Sequence, residues 1–282
     1  MTELVLTLCC PDRTGIVHAV SAYLHEAGCN VVDAQQFGDR TTATFFMRVH
    51  VETERTRANL AAGFAGIGAE FAMDWELYDL AVRPRALILV SKAGHCLNDL
   101  LYRIGAEQLS IDVPLVMSNH PDLAPLAAAH GISFEHMPVA STPGGKQGAE
   151  ERILDVVMTE EIDFVILARY MQILSAELCQ KLTGRIINIH HSFLPSFKGA
   201  RPYHQAHEHG VKLIGATAHY VTADLDEGPI IEQEVARVEH SSGPEDLAAI
   251  GRDAERIALA RAVRWHAEHR VLRHGRRTVI FK

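Results

Sequence analysis

Apolar residues along this chain recur first with the alternation of strands and then with the three-to-four spacing of helices, and the two patterns take turns. Leu4 to Cys10 is a short apolar run that stops at Pro11-Asp12-Arg13-Thr14-Gly15, after which Ile16, Val17, Val20, Tyr23 and Leu24 repeat at helical spacing until Gly28. Two strand-like runs follow, Asn30 to Phe37 and Thr42 to Val51, separated by the hairpin signal Gly38-Asp39. A helix from about Arg55 to Ile67 and a strand from Glu70 to Tyr78 complete a βαββαβ order. Such a unit predicts an antiparallel sheet with both helices on one face. The uncovered face then needs a partner, so a homo-oligomer, dimer or tetramer, is expected.

The pattern restarts after Val82-Arg83-Pro84-Arg85, which reads as a hinge because proline removes a donor. The expected division is a first domain over 1–80, a linker over 81–84 and a second domain over 85–282. In the second, Ala86 to Val90, Ile111 to Met117, Ile132 to Val139 and Asp163 to Ala168 read as strands. Amphipathic helices pass through Leu97 and Leu101, through Leu123 and Leu126, and from Gln147 to Glu161. That alternation predicts a mostly parallel α/β sheet with ligands beyond the carboxyl ends of its strands. A long helix after Gly243-Pro244 runs to about His269, and a hairpin around His274-Gly275 ends the chain.

Composition narrows the function classes. A formal charge of −8 over 282 residues disfavours nucleic acid as a partner while leaving room for a basic cleft that takes a small anion. The arginines of the C-terminal end read as a charged outer face of a packed helix. Five cysteines without a C-x-x-C predict reduced thiols and no structural zinc. The first strand carries Glu3 with no basic leader, and no apolar segment is long enough to span a bilayer, so a cytoplasmic protein without membrane attachment is expected.

The candidate chemistry lies in two stretches. In Arg185 to Arg201, R-I-I-N-I-H-H-S-F-L-P-S-F-K-G-A-R, a buried-strand pattern delivers Asn188 and His190 to one face, while His191 faces away or begins the loop. In Gly215 to Pro229, G-A-T-A-H-Y-V-T-A-D-L-D-E-G-P, Thr217 and His219 alternate likewise before a tight loop with Asp224, Asp226 and Glu227. A carboxylate beside an imidazole and a carboxamide can polarise a carbonyl, hold a water and move a proton. Either stretch alone also fits a polar strand end capped by its own loop.

N-I-H-H-S-F-L-P-S-F-K-G-A and G-A-T-A-H-Y-V-T-A-D-L-D-E-G-P-I-I resemble the catalytic domain of the folate-dependent formyltransferases, whose Asn, His and Asp match Asn188, His190 and Asp226. The doubled His190-His191 and the N-terminal C-C-P-D-R-T-G-I more narrowly resemble the two-domain formyltetrahydrofolate deformylase family, over nearly the whole chain. The resemblance implies a ferredoxin-like ACT domain followed by a Rossmann-like formyltransferase-type domain. It implies hydrolysis of 10-formyltetrahydrofolate to formate and tetrahydrofolate, supplying formate for purine synthesis, with the folate as substrate and no cofactor. Asn188 and His190 would meet the formyl oxygen, Asp226 would orient water, and His219 would support the carboxylate.

The segment Arg169-Tyr170-Met171-Gln172-Ile173-Leu174 resembles the family's folate loop, with backbone groups on the pterin edge and Met171, Ile173 and Leu174 on its ring; Asp224 joins the folate-binding set. C-P-D-R-T-G-I resembles the first loop of ACT domains and implies an amino-acid effector near Asp12, Gly15 and Asn30; a plain helix cap uses the same residue types. The turn Ser91-Lys92-Ala93-Gly94-His95-Cys96-Leu97-Asn98 stands where transferases acting on glycinamide ribonucleotide have a glycine-rich phosphate cradle. Lys92 and His95 are expected to fill that space, leaving water as the nucleophile. His204, His207 and His209 do not keep a zinc spacing, so no metal is expected. Lys198 and Arg201 could meet the substrate's glutamate tail or face water. Formyl transfer to an amine, and a non-catalytic folate or amino-acid sensor, are the competing readings.

Overall fold

The computed structural model describes residues 1–139, 144–195 and 202–282, and these form two compact units. The first comprises Met1–Arg83 with Glu268–His274 and Thr278–Lys282, and the second comprises Pro84–Ala267 with Gly275–Arg277. Most of the C-terminal hairpin, placed in the second domain by the sequence reading, therefore clusters with the first unit.

The first unit runs β1 (Thr2–Pro11), α1 (Ile16–Glu26), β2 (Asn30–Asp39), β3 (Thr44–Thr53), α2 (Arg57–Glu70) and β4 (Asp74–Asp79). Its antiparallel sheet has the order β2-β3-β1-β4, with β1 central because its Leu4, Leu6, Leu8 and Cys10 face the helices. Ile16, Val20 and Leu24 of α1 and Leu60 and Phe64 of α2 bury against them. The strand turn falls after Asp39 rather than at Gly38-Asp39, and α2 continues to Glu70, so β4 starts four residues later than its apolar pattern suggests.

The opposite face of this sheet is partly covered by the chain itself. The buried Arg48 donates to the carbonyls of Glu268 and His269 at 3.1 and 3.2 Å, Tyr78 stacks on His269 with ring centroids 3.5 Å apart, and Phe46 meets the His274 ring edge-on. The apolar face that seemed to require a second chain thus has an internal cover at these positions. Val31, Val32 and Phe37 on the edge strand β2 remain exposed.

The second unit contains β5 (Arg85–Val90), α3 (His95–Gly105), β6 (Asp112–Ser118), α4 (Ala124–Ala129), β7 (Ser133–His136), α5 (Gly145–Thr159), β8 (Phe164–Leu167), α6 (Ala176–Lys181), β9 (Ile186–His190), α7 (Pro202–Glu208), β10 (Leu213–Tyr220), β11 (Ile230–Arg237) and α8 (Pro244–Ala267). A short C-terminal hairpin of β12 (Val271–His274) and β13 (Arg277–Ile280) follows. The seven-stranded sheet is ordered β11-β10-β9-β8-β5-β6-β7. β5 and β8 are apolar almost throughout because helices cover both faces of a parallel sheet. β10 runs antiparallel to both β9 and β11, and β11 was not foreseen, since its I-I-E-Q-E-V-A-R buries little. Among the described residues no helix is long and apolar enough to cross a membrane.

Candidate active site

β9 and β10 pair with His219 opposite Asn188 and Thr217 opposite His190, so two polar residues from each strand meet at one edge of the core. Asn188 Nδ2 lies 3.2 Å from His219 Nε2, and His219 Nδ1 lies 2.9 Å from the carbonyl of Tyr220. A carbonyl only accepts, so Nδ1 carries the proton and Nε2 is the bare nitrogen that accepts from Asn188. Burial depresses the His219 pKa and keeps the ring neutral, against the opposing pull of the Tyr220 carbonyl and Asp226. The Asn188 amide is thereby fixed, with one N–H engaged and the second left to donate. Thr217 does different work: its hydroxyl accepts from the Leu194 amide at 3.0 Å and donates to the Ser192 carbonyl at 2.9 Å, tying down the loop that follows His190.

Asp226 comes from the loop after β10 with φ of +56°, a left-handed conformation that aspartate and asparagine tolerate better than most side chains. Gly228 makes that turn possible, since a Cβ there would fall 1.7 Å from the Tyr220 carbonyl oxygen. Asp226 Oδ1 stands 3.3 Å from His190 Nδ1 and 3.8 Å from His219 Nε2. Burial raises its pKa, but the His190 hydrogen bond and the neighbouring imidazoles outweigh this and leave the carboxyl below its ordinary value. It is ionised at neutral pH. His190 is buried, and its Nε2 has no hydrogen-bond partner among the described residues.

These groups line a cavity of about 720 Å³ in the second unit. One wall is the segment after β8, from Arg169 to Leu174, where Met171 and Ile173 expose apolar side chains suited to a flat ring. Tyr170 is buried, and burial pushes its phenol up to about 12. The Met171 amide is already committed to Ser91 Oγ at 3.0 Å, which removes one of the backbone donors expected for a pterin. Asp224 is exposed on its loop and lies outside the lining. Lys198 and Arg201 fall outside the described residues.

Sequence reasoning missed a second polar cluster, which reaches the same cavity through Arg169 and Tyr203. Glu255, on α8 and 1% exposed, accepts from His95 Nε2 at 2.7 Å and from the Tyr203 hydroxyl at 2.8 Å, and Arg169 Nε lies 3.4 Å away. Gly251, one turn earlier, admits the Tyr203 ring, for a Cβ there would meet its hydroxyl at 2.0 Å. In the turn after β5, Ser91 Oγ bonds Asn119 at 2.6 Å and His95 turns inward to Glu255, while Lys92 is exposed and does not fill the space assigned to it. The ligating atoms of His95, Cys96 and Glu255 lie within 4.8 Å of one another, but burial keeps the Cys96 thiol protonated and the Arg169 cation already faces the carboxylate.

In the first unit, Gly15 caps α1 with φ of +96° and no side-chain hydrogen bond, so the helix N-terminus keeps its free amides beside Asp12. Asn30 is elsewhere. Pro11 registers with Thr44 and Asn30 with Glu52, at opposite ends of β3, roughly 27 Å apart at about 3.4 Å per residue. Asn30 instead donates to Glu52 at 3.2 Å. Within one chain, then, Asp12 and Gly15 lie together and Asn30 does not join them.

A mostly parallel sheet that brings an asparagine and a histidine on one strand to an aspartate on the loop after the next defines a formyl transferase domain, here joined to an ACT domain. The family model for formyl transferases matches residues 84–263 and that for ACT domains residues 4–62. A formyltetrahydrofolate deformylase from Corynebacterium sp. (strain P-1) is 48% identical over 281 residues, covering 99% of this chain and 98% of that protein. The crystal structure of formyltetrahydrofolate deformylase from Burkholderia mallei ATCC 23344 superposes with a TM-score of 0.95 at 52% identity, covering 100% of both chains. Glycinamide ribonucleotide transformylase 1 from Symbiobacterium toebii covers 73% of this chain and 98% of its own, at 32% identity and a TM-score of 0.68. The chain belongs to the formyltetrahydrofolate deformylase family.

Proposed function

We propose that this protein hydrolyses 10-formyltetrahydrofolate to formate and tetrahydrofolate. The observation that carries the reading is one cavity in which an ionised Asp226 sits 3.3 Å from His190 and Asn188 is held by a neutral His219. A formamide resists attack because its nitrogen donates into the carbonyl, so the site must stabilise charge on oxygen, orient water and protonate the departing nitrogen. The free N–H of Asn188 donates to the formyl oxygen, and His190, whose Nδ1 is held by Asp226, does so through Nε2 only when that nitrogen also carries a proton. Asp226 orients a water and accepts its proton as the carbon–oxygen bond forms. The carbon–nitrogen bond then breaks, the proton passes to the folate nitrogen, and formate is left.

Transfer to a phosphorylated amine is disfavoured because the turn after β5 spends Ser91 and His95 on internal bonds. Met171, Ile173 and Leu174 form the apolar platform for the folate ring and Tyr170 backs it. No cofactor is needed for this chemistry. An amino-acid effector is assigned to Asp12 and Gly15 at the open end of α1, a homo-oligomer to the exposed edge strand β2, and the compartment to the cytoplasm, where the formate would feed purine synthesis. Purified protein supplied with 10-formyltetrahydrofolate and no amine should release one formate per folate consumed. Turnover that requires an added amine, or no formate at all, would remove hydrolysis or catalysis respectively.

A further inference from the structure

Arg169 follows β8 with φ of +66°, a conformation that L side chains avoid unless neighbours enforce it. Its side chain is 17% exposed, and its Nε and Nη1 have no hydrogen-bond partner among the described residues. Unfilled donors on a buried guanidinium are costly, and Glu255 meets Nε at 3.4 Å as an ion pair without making a hydrogen bond there. Arg169 lines the cavity that holds Asn188, His190 and Asp226, and the third buried polar atom without a partner among the described residues is His190 Nε2. The two unfilled guanidinium N–H groups, with an imidazole nitrogen on the same cavity free to take or to share a proton, call for a small group rich in acceptors.

We propose that Arg169, steadied by Glu255, forms with His190 a subsite for a small monocarboxylate, and that its occupant is formate as it leaves. The inference rests on the hydrolytic reading above. Hydrolysis turns a neutral formyl oxygen into a carboxylate with a second oxygen and a negative charge, so a donor fork gains strength as the reaction ends. The Glu255 carboxylate tempers that cation, which lets a product bind weakly enough to depart. A metal at His95, Cys96 and Glu255 would instead bring a second cation against Arg169.

Initial rates of the full-length enzyme are measured with sodium formate against sodium chloride at constant ionic strength, and binding of carbon-13 formate to resting protein with tetrahydrofolate is followed by NMR. Formate should inhibit the wild type where chloride does not. Arg169→Gln should weaken formate by about ten- to a hundredfold, a larger loss than any change in folate KM. Arg169→Lys, which keeps a cation for Glu255 and guards against misfolding, should fold as the wild type and still lose most of the formate affinity because the fork is gone. Equal effects of the two salts on the wild type overturn the proposal, as does formate affinity unchanged in Arg169→Lys. A wild type that releases no formate from 10-formyltetrahydrofolate defeats the hydrolytic reading instead, whereas active enzyme indifferent to formate defeats only the subsite.

Discussion

Asp226→Asn isolates the carboxylate from its surroundings. The backbone at this position has φ of +56°, which asparagine adopts as readily as aspartate, so the loop is not strained by the change. The amide oxygen of asparagine can still accept from His190 Nδ1, now 3.3 Å from Oδ1, so the imidazole keeps its orientation. What disappears is the anion that the His190 hydrogen bond and the surrounding imidazoles hold ionised, and with it the proton acceptor for the attacking water. Removing a positioned general base lowers turnover by about 10²- to 10⁴-fold, or about 3–5 kcal/mol of barrier. The apolar platform of Met171, Ile173 and Leu174 is untouched, so folate affinity should change less than about threefold. Formate release can be followed with a coupled dehydrogenase, and folate binding by calorimetry. A variant within tenfold of wild-type turnover, or one whose loss is entirely loss of folate binding, would refute the assignment of Asp226 as base.

Three further outcomes are expected. Gly251→Ala improves helix propensity by about 1 kcal/mol, yet its methyl displaces the Tyr203 hydroxyl and leaves Glu255 one donor short, at about 1–3 kcal/mol; the melting temperature should fall, and a rise would contradict the packing. Arg48→Ala strips two carbonyls and Asp33 of their donor, at about 2–4 kcal/mol, and limited trypsin digestion should then cut faster at Arg270 and Arg273 than in the wild type. Burial, with Arg169 and His190 beside it, lowers the His191 pKa from 6.5 to about 4. The unfolded chain thus binds the proton first, and stability falls as pH drops from about 6.5 towards 4, by up to about 3 kcal/mol. His191→Asn should flatten that slope in melts across the window, and an unchanged slope would show that other groups carry it.

Strand periodicity alone puts Asn188 and His190 on one face, whereas Asp226 stood out from Asp224 and Glu227 only through the family resemblance. The partner of Asn188 was not legible, since it depends on the antiparallel register between β9 and β10 and on which His219 nitrogen faces the Tyr220 carbonyl. The same limit hid the Glu255 cluster, whose members come from α3, α7, α8 and the segment after β8; nothing in the local pattern marks a glutamate on a long helix as buried. Asn30 was misplaced for a reason the sequence did contain. A helix such as α1 carries the chain back along the sheet, so the first residue of β2 lies at the far end from the loop that follows β1. The internal cover over Phe46 and Arg48 could not be read, because a hairpin far along the chain gives no sign of which sheet it meets.

The choice between water and an amine turns on the second cluster more than on the trio, since the formyl transferase fold is common to relatives named for hydrolysis and for transfer. Any enzyme of this fold must polarise the formyl carbonyl, and the role proposed above for Asn188 and His190 is the same whichever nucleophile arrives. An amine acceptor needs two further things: a seat for the rest of its molecule, and an approach in which it is not already protonated. Here the turn that could form the seat is closed by Ser91 to Asn119 and His95 to Glu255. The cavity is lined by the guanidinium of Arg169, which repels an ammonium and cannot take its proton. Water is small enough to need no seat, carries no charge to be repelled, and accepts hydrogen bonds from the same donors that would exclude an amine. The cation and the closed turn therefore act in the same direction, and opening only one of them should not suffice to convert the hydrolase into a transferase.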